Sequence, residues 1–223
     1  MSIERTEIGR GAWIFHDRAW LSQERADELL ALLLATEPWE QRELVVFGKP
    51  VLQPRLMSWA GDLPYRYSGQ TLPPRALPPA LAELQARLND ELEQVFNHVV
   101  LNRYRDGRDH VGMHADDERE LGRDPVIASV SLGATRRFSL KGKHHGYRKG
   151  FRLRHGSLLV MGGSLQHSFR HSVPQQVDVK DERLNLTFRH LLGAPGTVKR
   201  EPAGRSSGGS RASKVAVVDE GST

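Results

Sequence analysis

Two segments in the first half of the chain carry apolar residues at helical spacing. In the first, Ser22 is a good amino-terminal cap for a helix with Ala26, Leu29, Leu30 and Leu33 on one face. The second follows a pair of prolines, and its apolar face consists of Leu81, Leu84, Leu88, Leu92 and Val95. Both faces are typical of surfaces that pack against a core.

The pattern changes after Asn97 to short apolar runs separated by turn residues, as in β-strands. The predicted strands are residues 98–104, 126–132, 135–140, 150–154, 157–161 and 183–190. Helices that precede a series of strands favour an α+β fold, in which helices cover a β-sandwich or barrel.

The last predicted strand alternates strictly between two kinds of residue. Leu184, Leu186 and Phe188 form one face, which we expect to pack against helices. The opposite face consists of Arg183, Asn185, Thr187 and Arg189. This polar face lies either in solvent or inside a barrel, where its charges would need an anionic ligand to offset their desolvation.

Length and composition bound the class of protein. The chain has 223 residues, of which 38% are hydrophobic and 26% charged, so it can bury a core. We expect one domain over residues 1–195 and a flexible tail rich in Gly and Ser over residues 196–223. The net charge of +5 fits a polyanionic partner, and the absence of cysteine excludes disulfide scaffolds and cysteine nucleophiles.

No secretory signal opens the sequence, and the longest apolar run, residues 29–35, is too short to cross a bilayer. We therefore expect a soluble, cytoplasmic protein that has no membrane contact. We also expect it to be a monomer.

A possible metal site lies in the middle of the chain. His114 and Asp116 are two residues apart, so in an extended strand both side chains project to the same side. With one more histidine they would make the two-His-one-carboxylate set of non-haem Fe(II) oxygenases. By chemistry alone the third ligand could be either His167 or His171, because strand periodicity places both on one face.

Four motifs follow one another along the chain: Asn102-x-Tyr104, His114-x-Asp116, His171 before Ser-Val-Pro, and Arg183-x-Asn185-x-Thr187-x-Arg189. In this combination residues 45–190 resemble the AlkB family of Fe(II)/2-oxoglutarate dioxygenases, which repair alkylated nucleic-acid bases. The resemblance implies a double-stranded β-helix, or jelly roll, with supporting amino-terminal helices.

The resemblance also implies the site residues. His114, Asp116 and His171 would hold Fe(II), since the motif around His171 matches the family where that of His167 does not. The residues expected to bind the co-substrate 2-oxoglutarate are Asn102, Tyr104, Arg183, Asn185 and Arg189. Among these, Arg183 would hold the distal carboxylate through paired hydrogen bonds.

Residues 44–70 resemble the nucleotide-recognition lid of relatives that act on duplex DNA. Phe47 would be a wedge that enters the base stack, although it could equally be a core residue of a strand. The expected substrate-binding residues are Arg55, Tyr65, Tyr67, Ser68, Asp117 and Glu118. Tyr67 would stack on one face of the base and His114 on the other, while the acids favour a cationic methylated base. The basic loop 141–149 either contacts phosphate or is an ordinary exposed hairpin loop.

The implied activity is oxidative demethylation of N1-methyladenine and N3-methylcytosine in single- or double-stranded DNA. It uses Fe(II), 2-oxoglutarate and O2, and it releases formaldehyde, succinate and CO2. Two alternatives remain open at this point. The same oxygenase could act on RNA, on a protein or on a small molecule, or the fold could serve a non-catalytic nucleic-acid-binding protein.

Overall fold

The computed structural model describes residues 4–9, 11–46, 48–67, 69–144 and 146–193. Within these ranges the helices are α1 (Gln23–Thr36), α2 (Pro79–Leu92) and the short α3 (Leu165–Ser168), and a 3-10 turn covers Arg119–Leu121. The strands are β1 (Thr6–Gly9), β2 (Ala12–Asp17), β3 (Glu43–Val46), β4 (Lys49–Leu52), β5 (Leu56–Gly61), β6 (Tyr65–Tyr67), β7 (Gln70–Leu72), β8 (His98–Tyr104), β9 (Val111–His114), β10 (Ile127–Gly133), β11 (Arg136–Gly142), β12 (Arg148–Leu153), β13 (Ser157–Gly163), β14 (Phe169–Val173) and β15 (Arg183–Arg189).

Two sheets form the body of the molecule. The larger sheet has seven strands in the order β1-β2-β13-β10-β15-β8-β5, and the smaller has four in the order β12-β11-β14-β9. Most neighbouring strands are distant from each other in sequence, as in a jelly roll. The architecture is therefore the one that the motifs imply. Two further ribbons, β3–β4 and β6–β7, stand within the predicted lid.

The helices form where the sequence predicts them, with one error at an end. The Ser22 hydroxyl accepts a hydrogen bond from the backbone N–H of Arg25 and so caps α1. In α2 the buried face consists of Leu81, Leu84, Leu88 and Leu92. Glu93 then takes a left-handed conformation (φ 53°) and ends the helix. Val95 is therefore outside α2 and 66% exposed, so its predicted place on the helix face is wrong.

The predicted order of helices first and strands afterwards is wrong, because seven strands precede α2. Five of them, β1, β3, β4, β6 and β7, have only three or four residues. The longer β2 is held by pairing with β13, far along the chain. Such pairing leaves no local periodic signal. The strands predicted after Asn97 all form, and β8 has the predicted bounds.

β15 lies between β10 and β8 in the larger sheet, and this position decides where its two faces lie. Leu184, Leu186 and Phe188 pack in the same hydrophobic cluster as residues of α1 and α2, as predicted. The polar face is buried too: Arg183 and Arg189 are 0% and 3% exposed. It lies inside the jelly roll and not in solvent, so its charges have to be compensated there.

The predicted tail, residues 196–223, lies outside the described residues, and its separation from the domain stays a prediction. Among the helices of the described ranges, none combines the length and the apolar character that crossing a membrane requires.

Candidate metal centre and anion pocket

Three potential metal ligands meet between two strands of the smaller sheet. His114 ends β9 and lies directly opposite His171 of β14, while Asp116 follows two residues beyond His114. The Nε2 atoms of His114 and His171 are 3.9 Å and 3.7 Å from the carboxylate oxygens of Asp116. One ligand atom from each residue can be chosen so that all lie within 4.8 Å of one another. The sequence spacing and the register together produce this cluster.

His167 is not part of the cluster. It belongs to the helical turn α3 and not to the strand that carries His171, so the assumption that both lie on one strand face is wrong. Its Nε2 contacts the Arg123 carbonyl and lies 3.7 Å from Asp124. Between the two histidines, only His171 faces Asp116.

Asp116 is buried, and the protein stabilises its charge. Arg189 donates a hydrogen bond of 3.0 Å to Oδ1, and the side-chain oxygen of Gln166 accepts the backbone N–H of Asp116 at 3.0 Å. Burial by itself would raise the pKa of Asp116, but Arg189 and the two imidazoles outweigh it and lower that pKa. The carboxylate is thus held ionised, which metal binding requires.

His171 is held neutral and in a fixed orientation. Burial, with His114 nearby, lowers its pKa from 6.5 to about 3, although Asp116 opposes the shift. The ring of Phe138 stacks on the imidazole, with centroids 5.2 Å apart and planes inclined by 22°. A neutral imidazole is the form that ligates a metal.

Arg183 is a buried cation without a carboxylate partner. One amino group donates to the Ser131 hydroxyl at 2.9 Å, while Nε and Nη1 have no hydrogen-bond partner among the described residues. Burial lowers its pKa to about 10. Its guanidinium lies 5.1 Å from the centroid of the Tyr104 ring, and the guanidinium of Arg136 lies 5.5 Å from the same centroid. This end of β15 therefore carries a buried charge that a bound anion would compensate.

The remaining residues predicted to bind 2-oxoglutarate lie around a cavity whose lining does not include Arg183. Asn102, Tyr104, Asn185 and Arg189 line a narrow cavity together with the three potential metal ligands. Asn185 donates to the Ser129 hydroxyl at 2.7 Å, and the oxygen of Asn102 accepts from Arg55 Nε at 2.6 Å. Their amide orientations are therefore set by the protein.

A groove of about 440 Å³ opens beside His114. Of the predicted substrate residues, Arg55, Tyr67 and Glu118 line it. Arg55 also donates to the Tyr67 hydroxyl at 3.2 Å. Burial, followed by the charge of Asp116, raises the pKa of Glu118. Tyr67 and His114 both border this groove, as the predicted stacking of a base between them requires.

Tyr65 and Asp117 do not line this groove. Tyr65 is fully buried behind the groove, with its ring 5.0 Å from His98 and Arg189 over its face. Asp117 is exposed and pairs with Lys143 at 3.2 Å. Phe47 and Ser68 lie outside the described residues. The roles of these four residues stay predictions.

Sequence reasoning missed several residues that support the site. Gln166 and Phe138 hold Asp116 and His171, and the hydroxyls of Ser129 and Ser131 hold Asn185 and Arg183. No local motif marks them, because each contacts its partner from another strand or turn. Only the inward position of Ser129 and Ser131 in a predicted strand could have drawn attention to them.

Comparison with known proteins agrees with this arrangement. Residues 13–189 match the 2OG-Fe(II) oxygenase superfamily. The alpha-ketoglutarate-dependent dioxygenase alkB homolog 3 of Rattus norvegicus is 39% identical over 190 residues, which cover 79% of this chain and 64% of that protein. DNA oxidative demethylase ALKBH2 is 43% identical over 157 residues in Bos taurus (66% of this chain, 56% of the relative). Its Arabidopsis thaliana counterpart is 31% identical over 226 residues (86% and 70%).

Among solved structures, that of OsALKBH1 superposes with a TM-score of 0.57 at 15% identity, covering 84% of this chain and 100% of the other. At this identity the likeness concerns the fold alone. The chain spans somewhat less than two thirds of the length of the alkB homolog 3 proteins that it matches, 64% and 63% for those of rat and human.

Proposed function

The chain belongs to the AlkB family of the 2OG-Fe(II) oxygenase superfamily, and on this premise we propose that it demethylates alkylated bases in DNA by oxidation. Relatives named as DNA oxidative demethylases support the substrate. The observation that carries the proposal is the cluster of His114, Asp116 and His171, whose ligand atoms lie within 4.8 Å of one another beside a groove.

In this proposal the two histidines and Asp116 hold Fe(II). The donor set fits, because two imidazoles and one carboxylate are the ligands of a non-haem iron oxygenase and would leave positions free for co-substrate and oxygen. With 2-oxoglutarate bound, one atom of O2 enters the methyl C–H bond and the other enters succinate, so CO2 is released and the hydroxymethyl group leaves the base as formaldehyde. Arg189 keeps Asp116 ionised for this task, and Gln166 fixes its backbone.

Arg183 binds the distal carboxylate of 2-oxoglutarate in this assignment. Its two unpartnered nitrogens, Nε and Nη1, are the buried donors that a carboxylate would satisfy, and a planar guanidinium can hold such a group with two hydrogen bonds. Tyr104 and the amides of Asn102 and Asn185 border the co-substrate. Their hydrogen bonds to neighbouring side chains reduce the freedom that would otherwise be lost on binding.

The groove beside His114 receives the methylated base. Tyr67 provides a stacking face whose hydroxyl is held by Arg55, and His114 borders the other side. The carboxyl group of Glu118 suits the cationic bases N1-methyladenine and N3-methylcytosine, since a nearby anion offsets the desolvation of their charge. Asp117 acts at the rim, where Lys143 already pairs with it.

Phe47 is proposed as the wedge that fills the base stack when the target leaves a duplex. Phe47→Ala should then impair duplex repair much more than single-strand repair, because a single strand needs no extrusion. Activity on both oligonucleotides, with a melting curve, tests this. Equal losses together with a lower melting temperature would make Phe47 a core residue. The monomeric state and the cytoplasmic location also remain predictions.

The direct test is release of formaldehyde and succinate from methylated oligonucleotides, with and without Fe(II). Single-stranded DNA, duplex DNA and RNA that carry the same lesion are compared in parallel. We expect the DNA substrates to release formaldehyde and succinate in equal amounts, and only when Fe(II) is present. Turnover of the RNA substrate alone would show that the enzyme acts on RNA and not on DNA. Binding of an oligonucleotide without release of formaldehyde would favour a non-catalytic nucleic-acid-binding protein.

A further inference from the structure

The outward face of the four-stranded sheet is strongly cationic. Side chains alternate across β11, β12 and β14, so Phe138, Leu140 and Phe151 point into the core and their neighbours point outward. The outward neighbours include five exposed cations: Arg137, Lys141, Arg148, Arg152 and Arg170. We refer to these five residues as the cationic face. None of the strands β9, β11, β12 and β14 contains an Asp or a Glu.

The register sets like charges directly opposite one another. Lys141 pairs with Arg170 on one side and with Arg148 on the other, and Arg137 pairs with Arg152. Like charges at directly opposed positions destabilise a sheet. Between the two cationic rows, Ser139 pairs with Gly150, and these small residues leave a shallow trough.

The protein does not compensate these charges itself. In the described ranges, no carboxylate forms an ion pair with any of the five side chains. Cations on the edge strand β12 could serve to prevent pairing with another sheet. That explanation does not apply to Arg137, Lys141 and Arg170, because β11 and β14 are internal strands.

The two helices on the opposite side of the molecule are acidic. Helices α1 and α2 cover the far face of the seven-stranded sheet and carry more acids than bases. α1 contains one arginine and three acids, Glu24, Asp27 and Glu28. α2 likewise contains one arginine and three acids, Glu83, Asp90 and Glu91. Such a polarity would orient a polyanion toward the four-stranded sheet.

The cationic face is continuous with the candidate active site. Met113, which is 47% exposed, borders the groove that contains His114. It also borders a depression of about 320 Å³ that contains Lys141 and Arg170, and a second of about 290 Å³ that contains Lys141 and Arg148. A chain that leaves the groove can therefore pass over Met113 onto the cations.

We propose that the cationic face binds the phosphodiester backbone of the nucleic acid that flanks the target base. It forms a second binding surface, outside the groove that receives the base, and it acts through charge and not through base recognition. The choice of nucleic acid as the anion rests on the proposed function. The existence of an anion-binding surface rests on the register and the missing counter-charges alone.

The test measures the affinity of the double variant Arg137→Gln/Arg152→Gln and of the wild type for an unmodified single strand of DNA. A strand of about 20 nucleotides is used, because one single-strand-binding domain covers ~4–16 nucleotides. Loss of two phosphate contacts should lower the slope of log K against log salt by about 1.4, which is roughly 20-fold in affinity at ~0.1 M salt. Turnover of a methylated trinucleotide, which has only two phosphodiester groups and these flank the target base, should change less than about twofold. The substitution Arg137→Lys/Arg152→Lys keeps the charge and should restore binding.

Arg25→Gln/Arg87→Gln is the matched control, since it removes the same charge from α1 and α2. An equal loss of affinity in the control and in the cationic-face variant would overturn the proposal, because net charge would then explain binding. Binding to vesicles that contain phosphatidylserine, with none to DNA, would overturn it in favour of a lipid surface. Binding is measured without iron on unmodified DNA, so a failure of demethylation would be a separate result.

Discussion

The two ends of β15 place an arginine in opposite surroundings. Arg183 and Arg189 leave the strand on the same side, and both are almost completely buried. Arg189 meets Asp116 at 3.0 Å, and although burial opposes it, the surrounding anionic and phenolic groups raise its pKa. Arg183 meets a serine hydroxyl, keeps two unpartnered donors, and has its pKa lowered to about 10 by burial.

The difference separates a cation that completes the protein from one that awaits a ligand. At the Arg189 end, the charge is neutralised within the chain and fixes a proposed metal ligand. At the Arg183 end, only the Ser131 hydroxyl and the Tyr104 side chain offset the desolvation of the guanidinium, and no carboxylate of the described residues does so until an anion binds. The free protein should therefore be stabilised by its own ion pair at one end and destabilised by an isolated charge at the other.

The largest effect is expected from breaking the Arg189 end. Asp116→Ala should abolish iron-dependent turnover, a loss of at least about three orders of magnitude, because it removes a proposed ligand. It should also lower the free energy of unfolding by about 3–5 kcal/mol, since Arg189 is left buried without its partner. Formaldehyde release and chemical denaturation of the metal-free protein measure the two effects.

His114→Ala is the control for that variant. It removes a proposed ligand that is 32% exposed and is not the partner of Arg189. Turnover should again be lost, while the free energy of unfolding stays near that of the wild type. An equal fall in stability for both variants would mean that the Asp116–Arg189 pair does not stabilise the fold.

The Arg183 end should respond with the opposite sign. Arg183→Met should weaken 2-oxoglutarate binding by about 2–5 kcal/mol, or roughly 1.5 to 3.5 orders of magnitude. In the absence of ligand it should leave the melting temperature unchanged or raise it, because an uncompensated buried charge is removed. Arg189→Met should lower the melting temperature instead.

Melting curves with and without 2-oxoglutarate separate these two variants. The wild type should gain stability as the co-substrate is added, because the ligand binds only the folded state. Arg183→Met should lose most of that gain. A lower melting temperature for Arg183→Met in the absence of ligand would show that Arg183 already stabilises the free protein.

Lowering the pH should destabilise the fold at the Arg189 end of β15, because His98 becomes protonated on unfolding. Burial, and secondly Arg189, lower the pKa of His98 from 6.5 to about 3, so the unfolded chain holds more protons between these values. Stability should therefore fall as the pH falls through this window, with a slope of at most about 1.4 kcal/mol per pH unit from this residue. In His98→Phe the loss between pH 6.5 and 4 should be smaller, as measured by denaturation. An unchanged slope would exclude His98 as its source.

The smallest effect is expected at Asp117, next to the buried Asp116 but itself exposed. Its ion pair with Lys143 is exposed on the Asp117 side, so Asp117→Ala should change the free energy of unfolding by no more than about 1 kcal/mol. Turnover of a cationic methylated base should fall modestly, by less than about tenfold. A loss as large as that of Asp116→Ala would place Asp117 among the residues that hold the metal or the base.

Much of the proposed site was predictable because its residues form short motifs. His114 and Asp116 are two apart, and the alternation of β15 assigns its arginines to one face. The choice between His167 and His171 was not predictable from periodicity, since α3 interrupts the strand. Gln166 and Phe138 were missed because their partners are distant in sequence and nothing in their own neighbourhood marks them.

The sequence by itself determined the two main helices, the later strands and the two faces of β15, because each depends on a repeat of 3.6 or 2 residues along the chain. Only the tertiary structure decided that the polar face of β15 lies inside the jelly roll, which of its arginines finds an acid, and that five cations share one outward face. These outcomes depend on strand register between distant segments. Register is fixed by how the whole set of side chains packs, and a shift by one residue would exchange the faces.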